Sequence, residues 1–152
     1  MKNLRVLARS LVVDEGRILL VRNKGANFWY PPGGGWEYET ETITECAARE
    51  VAEETGYAVD IEKLLWLQEF HEGEKIFFET FWLSKISDSN TQTAEQVKQH
   101  IDHDPDGAVE EARWYTQDEI QDLTVFPKRV KSYSTLIAEQ KDLTNPFIGT
   151  FL

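Results

Sequence analysis

Thiols are nearly absent from this 152-residue sequence. Cys46 stands alone, so no disulfide can close within the chain and no cysteine-based zinc site can form. That usage fits a reducing cytosol, and a cytoplasmic location is the expectation. Positive charge is also scarce: 16 Lys and Arg face 27 Asp and Glu, for a net charge of -11. Nucleic-acid backbones and anionic membranes repel such a surface, which argues against non-specific binding to either. Long apolar runs are missing as well. The stretch behind Lys2 and Arg5 is broken by Arg9 and Asp14, so neither a signal peptide nor a membrane span can be read there. What is plentiful is core material. A hydrophobic fraction of 41% suffices for one ordinary domain over residues 1–152.

The order of elements follows from local pattern. Leu4 to Val13 and Arg17 to Val21 are β-rich runs around Asp14-Glu15-Gly16, which predicts a hairpin. The stretch Trp29-Tyr30-Pro31-Pro32-Gly33-Gly34-Gly35 reads as neither regular helix nor interior strand, because Pro removes donors and Gly weakens both. Thr42 to Glu54 reads as a helix, with Thr42 and Glu45 at capping-box spacing and Gly56 just past its end. Leu64 to Phe70 and Lys75 to Lys85 form a second predicted hairpin through Glu72-Gly73-Glu74. A polar connection over Ser87 to Gly107 holds a short helix near Ala94 to Ile101. A strand at Glu111 to Tyr115, a short helix at Gln117 to Leu123 and a longer one at Lys128 to Gln140 follow. The order suggests an α+β domain with helices flanking a mixed sheet.

Most of the carboxylates read as ordinary solubilising charge. The dense run between Glu37 and Glu54 is the exception. On a helix, Glu50, Glu53 and Glu54 share one face and border the apolar stripe of Ile43, Ala47 and Val51. Arg49 is the one cation close by in sequence. Clustered carboxylates at a desolvated edge repel one another, and a hard divalent cation such as magnesium is a natural compensation. Spacing alone leaves this level with a solvated acidic face. The glycine loop before the helix tips the balance, because it lets backbone approach a ligand closely.

These residues resemble the Nudix family. Its box reads G-x5-E-x7-R-E-U-x-E-E-x-G-U, with U a bulky aliphatic residue. Gly35, Glu41, Arg49, Glu50, Val51, Glu53, Glu54 and Gly56 fall in register, and Tyr57 holds the last position without being aliphatic. Glu37-Tyr38-Glu39-Thr40-Glu41 also departs from the Glu-x-Gly-Glu common at the end of the loop. The likeness extends over most of residues 4–124 and does not place Asn145-Pro146-Phe147-Ile148-Gly149.

The resemblance implies an α/β/α sandwich around a mixed sheet and Mg2+-dependent hydrolysis of the diphosphate linkage in a nucleoside diphosphate derivative, either ADP-ribose-like or a nucleoside triphosphate. Mn2+ is the expected substitute. Glu50, Glu53 and Glu54 would be metal ligands, directly or through water, with a backbone carbonyl from Gly33 to Gly35 completing the shell. Arg49 would hold the carboxylates, Glu41 would brace the loop, and Glu53 is the first choice of general base. The late carboxylates Asp102, Asp104, Asp106, Glu110 and Glu111 are the second.

Arg9 and Arg22, at strand positions, are candidates to grip phosphate, against plain solvent exposure. Trp29, Tyr30 and Trp36 are candidates to stack on a base, although aromatics are more often core. His71, His100 and His103 show no zinc spacing. The expected partner is a small nucleotide, and homodimerisation is left open. The rival readings are a ligand-sensing regulatory module with little turnover, which an intact box disfavours, and an isomerase, for which Cys46 is badly placed.

Overall fold

The computed structural model describes residues 2–102, 107–139 and 147–151. Its elements in chain order are β1 (Asn3–Asp14), β2 (Arg17–Asn23), β3 (Gly33–Gly35), α1 (Ile43–Thr55), β4 (Val59–Glu72) and β5 (Lys75–Ile86). Then come α2 (Ala94–Asp102), β6 (Val109–Tyr115), α3 (Gln117–Ile120), a 3-10 turn (Lys128–Ser132), α4 (Tyr133–Glu139) and β7 (Phe147–Phe151).

The strands form one mixed sheet in the order β6-β2-β1-β5-β4-β7, with β3 paired to β1 off this path. β1 is its hub. It runs parallel to β5 from Asn3↔Lys75 to Val12↔Ser84, then turns at Glu15-Gly16, both at positive φ, to meet β2 antiparallel. The predicted hairpin is there, but its two strands pair only at Val13↔Ile18 and Asp14↔Arg17, because β1 spends the rest of its length on β5 and β3. β4 and β5 make the long second hairpin.

Strand alternation sends side chains to opposite faces. Leu11, Ile18, Leu20, Leu65, Trp66 and Phe81 build one core, which Ile120, Val130 and Tyr133 cover from α3, the 3-10 turn and α4. Val12, Leu19 and Val21 face the other way, onto Val51 of α1 and Val97 of α2. Helices thus lie on both faces of a mixed sheet. Among the described residues no helix is long and apolar enough to cross a membrane.

Two readings are corrected. The residues read as irregular, Gly33-Gly34-Gly35, form a short strand, in register Leu7↔Gly35, Ala8↔Gly34 and Arg9↔Gly33. Space explains it: a Cβ on Gly33 would lie 2.4 Å from the Ala8 carbonyl oxygen. The long final helix is instead a 3-10 turn followed by α4. The segment that the sequence left unplaced contributes β7, parallel to β4.

Candidate active site

The capping box of α1 is present. The Thr42 hydroxyl accepts from the Glu45 amide at 3.3 Å, and the Glu45 carboxylate accepts from the Thr42 amide at 2.7 Å. Gly56 closes the helix in the left-handed region at φ 81°. Cys46, Ala47 and Val51 bury one face, which fixes the rotation of the helix about its axis and aims the acids along the edge of β3.

Arg49 ties this edge together. Its Nε and one terminal nitrogen grip both oxygens of Glu41 at 2.8 Å each. Its other terminal nitrogen donates to Glu50 at 2.9 Å and to Glu53 at 3.0 Å, and a bond of 3.3 Å reaches the Gly35 carbonyl. These contacts hold Glu41 well below the usual carboxylate range, at about 2, and raise Arg49 in turn. Glu41 also accepts from the Glu37 amide at 3.1 Å. The unusual Glu37–Glu41 segment is therefore a tight turn braced by Glu41 and closed by Thr40 and Glu41 amides donating to the Glu37 carbonyl.

Glu50 and Glu54 are the desolvated acids. Burial raises Glu50, opposed by Arg49. Burial pushes Glu54 up to about 8, opposed by the Arg9 charge and the Gly33 amide and reinforced by Glu50. Desolvation, more than mutual repulsion, dominates both. Glu54 Oε2 is buried with no hydrogen-bond partner among the described residues. Glu53 differs: its side chain is 58% exposed and turned to Arg49. Among the described residues no three His, Cys, Asp or Glu side chains converge as a ready-made metal cage. The donor chemistry nonetheless fits a hard cation, since Glu50 and the unpartnered oxygen of Glu54 are buried carboxylates beside a glycine backbone.

Glu54 also lines a cavity of about 860 Å³ together with Arg9, Gly33, Tyr30, Phe70 and Phe126. Arg9 donates to the Pro31 carbonyl at 3.3 Å, lies 5.3 Å from the Tyr30 ring centre, and has Glu79 at 3.8 Å. Of the three residues expected to bind substrate, Arg9 alone is on this wall. Arg22 is engaged by Glu110 and Glu111 at 2.8 and 3.1 Å. Trp29 is 7% exposed, its ring edge-on to Tyr115 in the main core. Tyr30 lines the cavity, whereas Trp36 donates to the Glu41 carbonyl at 3.0 Å. Phe28, Phe70 and Phe126, which sequence reasoning passed over, supply the aromatic lining.

The remaining candidates have ordinary surroundings. His71 meets Glu69 at 2.5 Å and His100 meets the Glu53 carbonyl at 2.9 Å. His103, Asp104 and Asp106 lie outside the described residues. Burial first, then Glu41, pushes the Cys46 thiol up to about 12, which suits a small core residue and not a nucleophile. Tyr57 is buried, with its ring edge-on to Trp114 and its hydroxyl accepting from the Trp114 indole at 3.1 Å. An aromatic residue thus fills the place of the aliphatic one and keeps its polar tip satisfied.

The family model described as NUDIX domain matches residues 1–136. The chain belongs to the Nudix family. Its Nudix relatives include "Nudix hydrolase 18, mitochondrial" of Arabidopsis thaliana, 26% identical over 120 residues, covering 78% of this chain and 62% of that protein. "Putative nudix hydrolase 1" of Caenorhabditis elegans is 37% identical over 73 residues, 43% of this chain and 20% of that one. The chain thus spans under two thirds of the length of either. Among solved structures, a Nudix hydrolase from Nitrosomonas europaea superposes with a TM-score of 0.70 at 19% identity, over 100% of this chain and 80% of that one, which is a likeness of fold.

Proposed function

We propose that this chain is a Mg2+-dependent hydrolase that cuts the diphosphate linkage of a nucleoside diphosphate derivative. The observation that carries the reading is Glu54: a buried carboxylate oxygen without a partner, on the wall of a large cavity, beside Glu50, Arg9 and a glycine strand. Buried charge of this kind is costly unless a cation or proton meets it.

Glu50, Glu53 and Glu54 would hold the cation, with Mn2+ as a substitute for Mg2+. When bound, the cation neutralises the diphosphate oxygens and acidifies a coordinated water. Arg49 fixes the directions of Glu50 and Glu53 and keeps Glu41 locked to the loop. Arg9, held by the Pro31 carbonyl and lying over Tyr30, offers its guanidinium to a phosphate oxygen. Glu53, the exposed acid of the three, collects the proton of the attacking water. Phe28, Tyr30 and Phe126 offer apolar surface to a base.

The direct test is a turnover screen over nucleotide sugars, dinucleotides and nucleoside triphosphates with Mg2+. Glu53→Gln is expected to keep the melting temperature within a few degrees and to lower kcat by roughly 10²-fold or more. A variant that turns over like the parent at limiting Mg2+ removes Glu53 from the role.

A further inference from the structure

The cavity holds a cation that the reading above leaves unused. Arg129 lies in the 3-10 turn beyond Phe126 and Pro127 and lines the same cavity as Arg9 and Glu54. Its guanidinium sits 5.2 Å from the ring centre of Trp66. Its Nε is buried and has no hydrogen-bond partner, and among the described residues no carboxylate forms an ion pair with it. In a chain of net charge -11, an Arg that none of the described carboxylates pairs with is conspicuous. Arg129 as a whole is half-buried, but a buried guanidinium nitrogen without an acceptor is unfavourable unless a ligand supplies one.

Arg129 is also separate from Arg9. Between them runs a fixed floor: the Trp66 indole donates to Gln68 Oε1 at 3.1 Å, and Gln68 Nε2 donates to Glu79 at 3.0 Å. Glu79 in turn faces Arg9 at 3.8 Å. Arg9, with the cation that Glu50, Glu53 and Glu54 would hold, already answers the charge of a diphosphate bridge. A second guanidinium, across this floor and beside Lys128, calls for a second anion.

We propose that Arg129 determines specificity by binding an acidic group of the substrate beyond the bridge that is cut. On the reading that this cavity takes nucleoside diphosphate derivatives, the favoured class then carries a terminal phosphate, as a nucleoside triphosphate does. Derivatives that end in a neutral sugar are disfavoured.

The test measures binding by calorimetry and, separately, turnover, for ATP and for ADP-ribose with Mg2+. The parent is expected to bind ATP the more tightly. Arg129→Met keeps an apolar stem over Trp66 and drops the charge. It should weaken ATP about tenfold or more while changing ADP-ribose less than about twofold. Arg129→Gln is read in the same way if the Met variant melts below the assay temperature. A parent that binds ATP no better than ADP-ribose overturns the assignment. So does an equal loss for both ligands, which would place Arg129 on the bridge itself, and so does no loss for either. Turnover decides the other question: selective binding without hydrolysis keeps Arg129 in its role and removes the hydrolase, whereas hydrolysis without selectivity does the reverse.

Discussion

Arg49 and Glu41 show how one residue pair can serve a whole edge. Their two parallel bonds are charge-assisted, and Glu41 titrates at about 2 in the folded chain against 4.5 ordinarily, because of Arg49 first. A depressed carboxylate stabilises the fold above its unfolded value and loses that contribution as pH falls. Stability from this pair should therefore be complete above about pH 4.5 and fade towards pH 2. Glu41→Gln is expected to lower the melting temperature at pH 7 by an amount worth roughly 1 kcal/mol, after allowance for solvent screening. The gap between parent and variant should narrow as pH falls below about 4.5 and close only below about pH 2, and thermal melts across that range check it. The match of Glu41 and Arg49 to the box was legible because it lies within one loop and two helical turns. Arg129 was not legible. It becomes conspicuous only once Trp66, Gln68 and Phe126 surround it, and nothing in its own neighbourhood announces that. The core position of Trp29 was not legible either, since Pro31 and Pro32 erase the periodicity that would have marked it.

At the scale of elements, α1 was the best-specified segment: cap, apolar stripe and left-handed stop all agree between Thr42 and Gly56. β4 was under-read at its start. Register shifts between Ile61 and Lys63 and between Leu64 and Trp66 break the two-residue alternation on which a strand is recognised. β3 was missed altogether because glycine carries no strand signal; what makes it a strand is the space between β1 and α1. That space gives a prediction. A Cβ on Gly34 would sit 2.5–2.6 Å from the carboxylate of Glu50, well inside contact distance. Gly34→Ala should displace Glu50 from Arg49 and lower activity at least tenfold, with a stability loss on the order of 1–3 kcal/mol. Gly16→Ala, where nothing lies within 4 Å but φ is +75°, strains the backbone far from the acids; it should lose stability and leave turnover unchanged. Equal turnover in parent and Gly34→Ala would show that the α1 edge tolerates a shift.

For the whole molecule, the acidic balance and the unpartnered oxygen of Glu54 point the same way. The folded chain should bind a divalent cation, and binding should stabilise it by RT ln(1 + [L]/Kd), about 2.7 kcal/mol at a hundredfold excess over Kd. Melting curves at matched ionic strength, with and without millimolar Mg2+, should separate by several degrees, and excess EDTA should abolish turnover. Hydrolysis that persists with metal loss verified would remove the cation from the reaction. The mixed sheet and flanking helices were legible from the order of elements. The sheet's strand order was not, since local pattern says nothing about which distant strand meets which.

The pairing of β1 with β5 reaches beyond stability. Leu7 meets Glu79, and Val12 meets Ser84, so the first strand of the chain has its main partner far along the sequence. During synthesis the edge of β1 that meets β5 must wait until β5 has emerged, with the short β2 hairpin and β3 as its earlier partners. Parallel contacts of such long range slow folding relative to local ones, because loop closure must come before the contacts form. Leu11 and Val12, buried on opposite faces in the folded chain, stay uncovered by β5 until then.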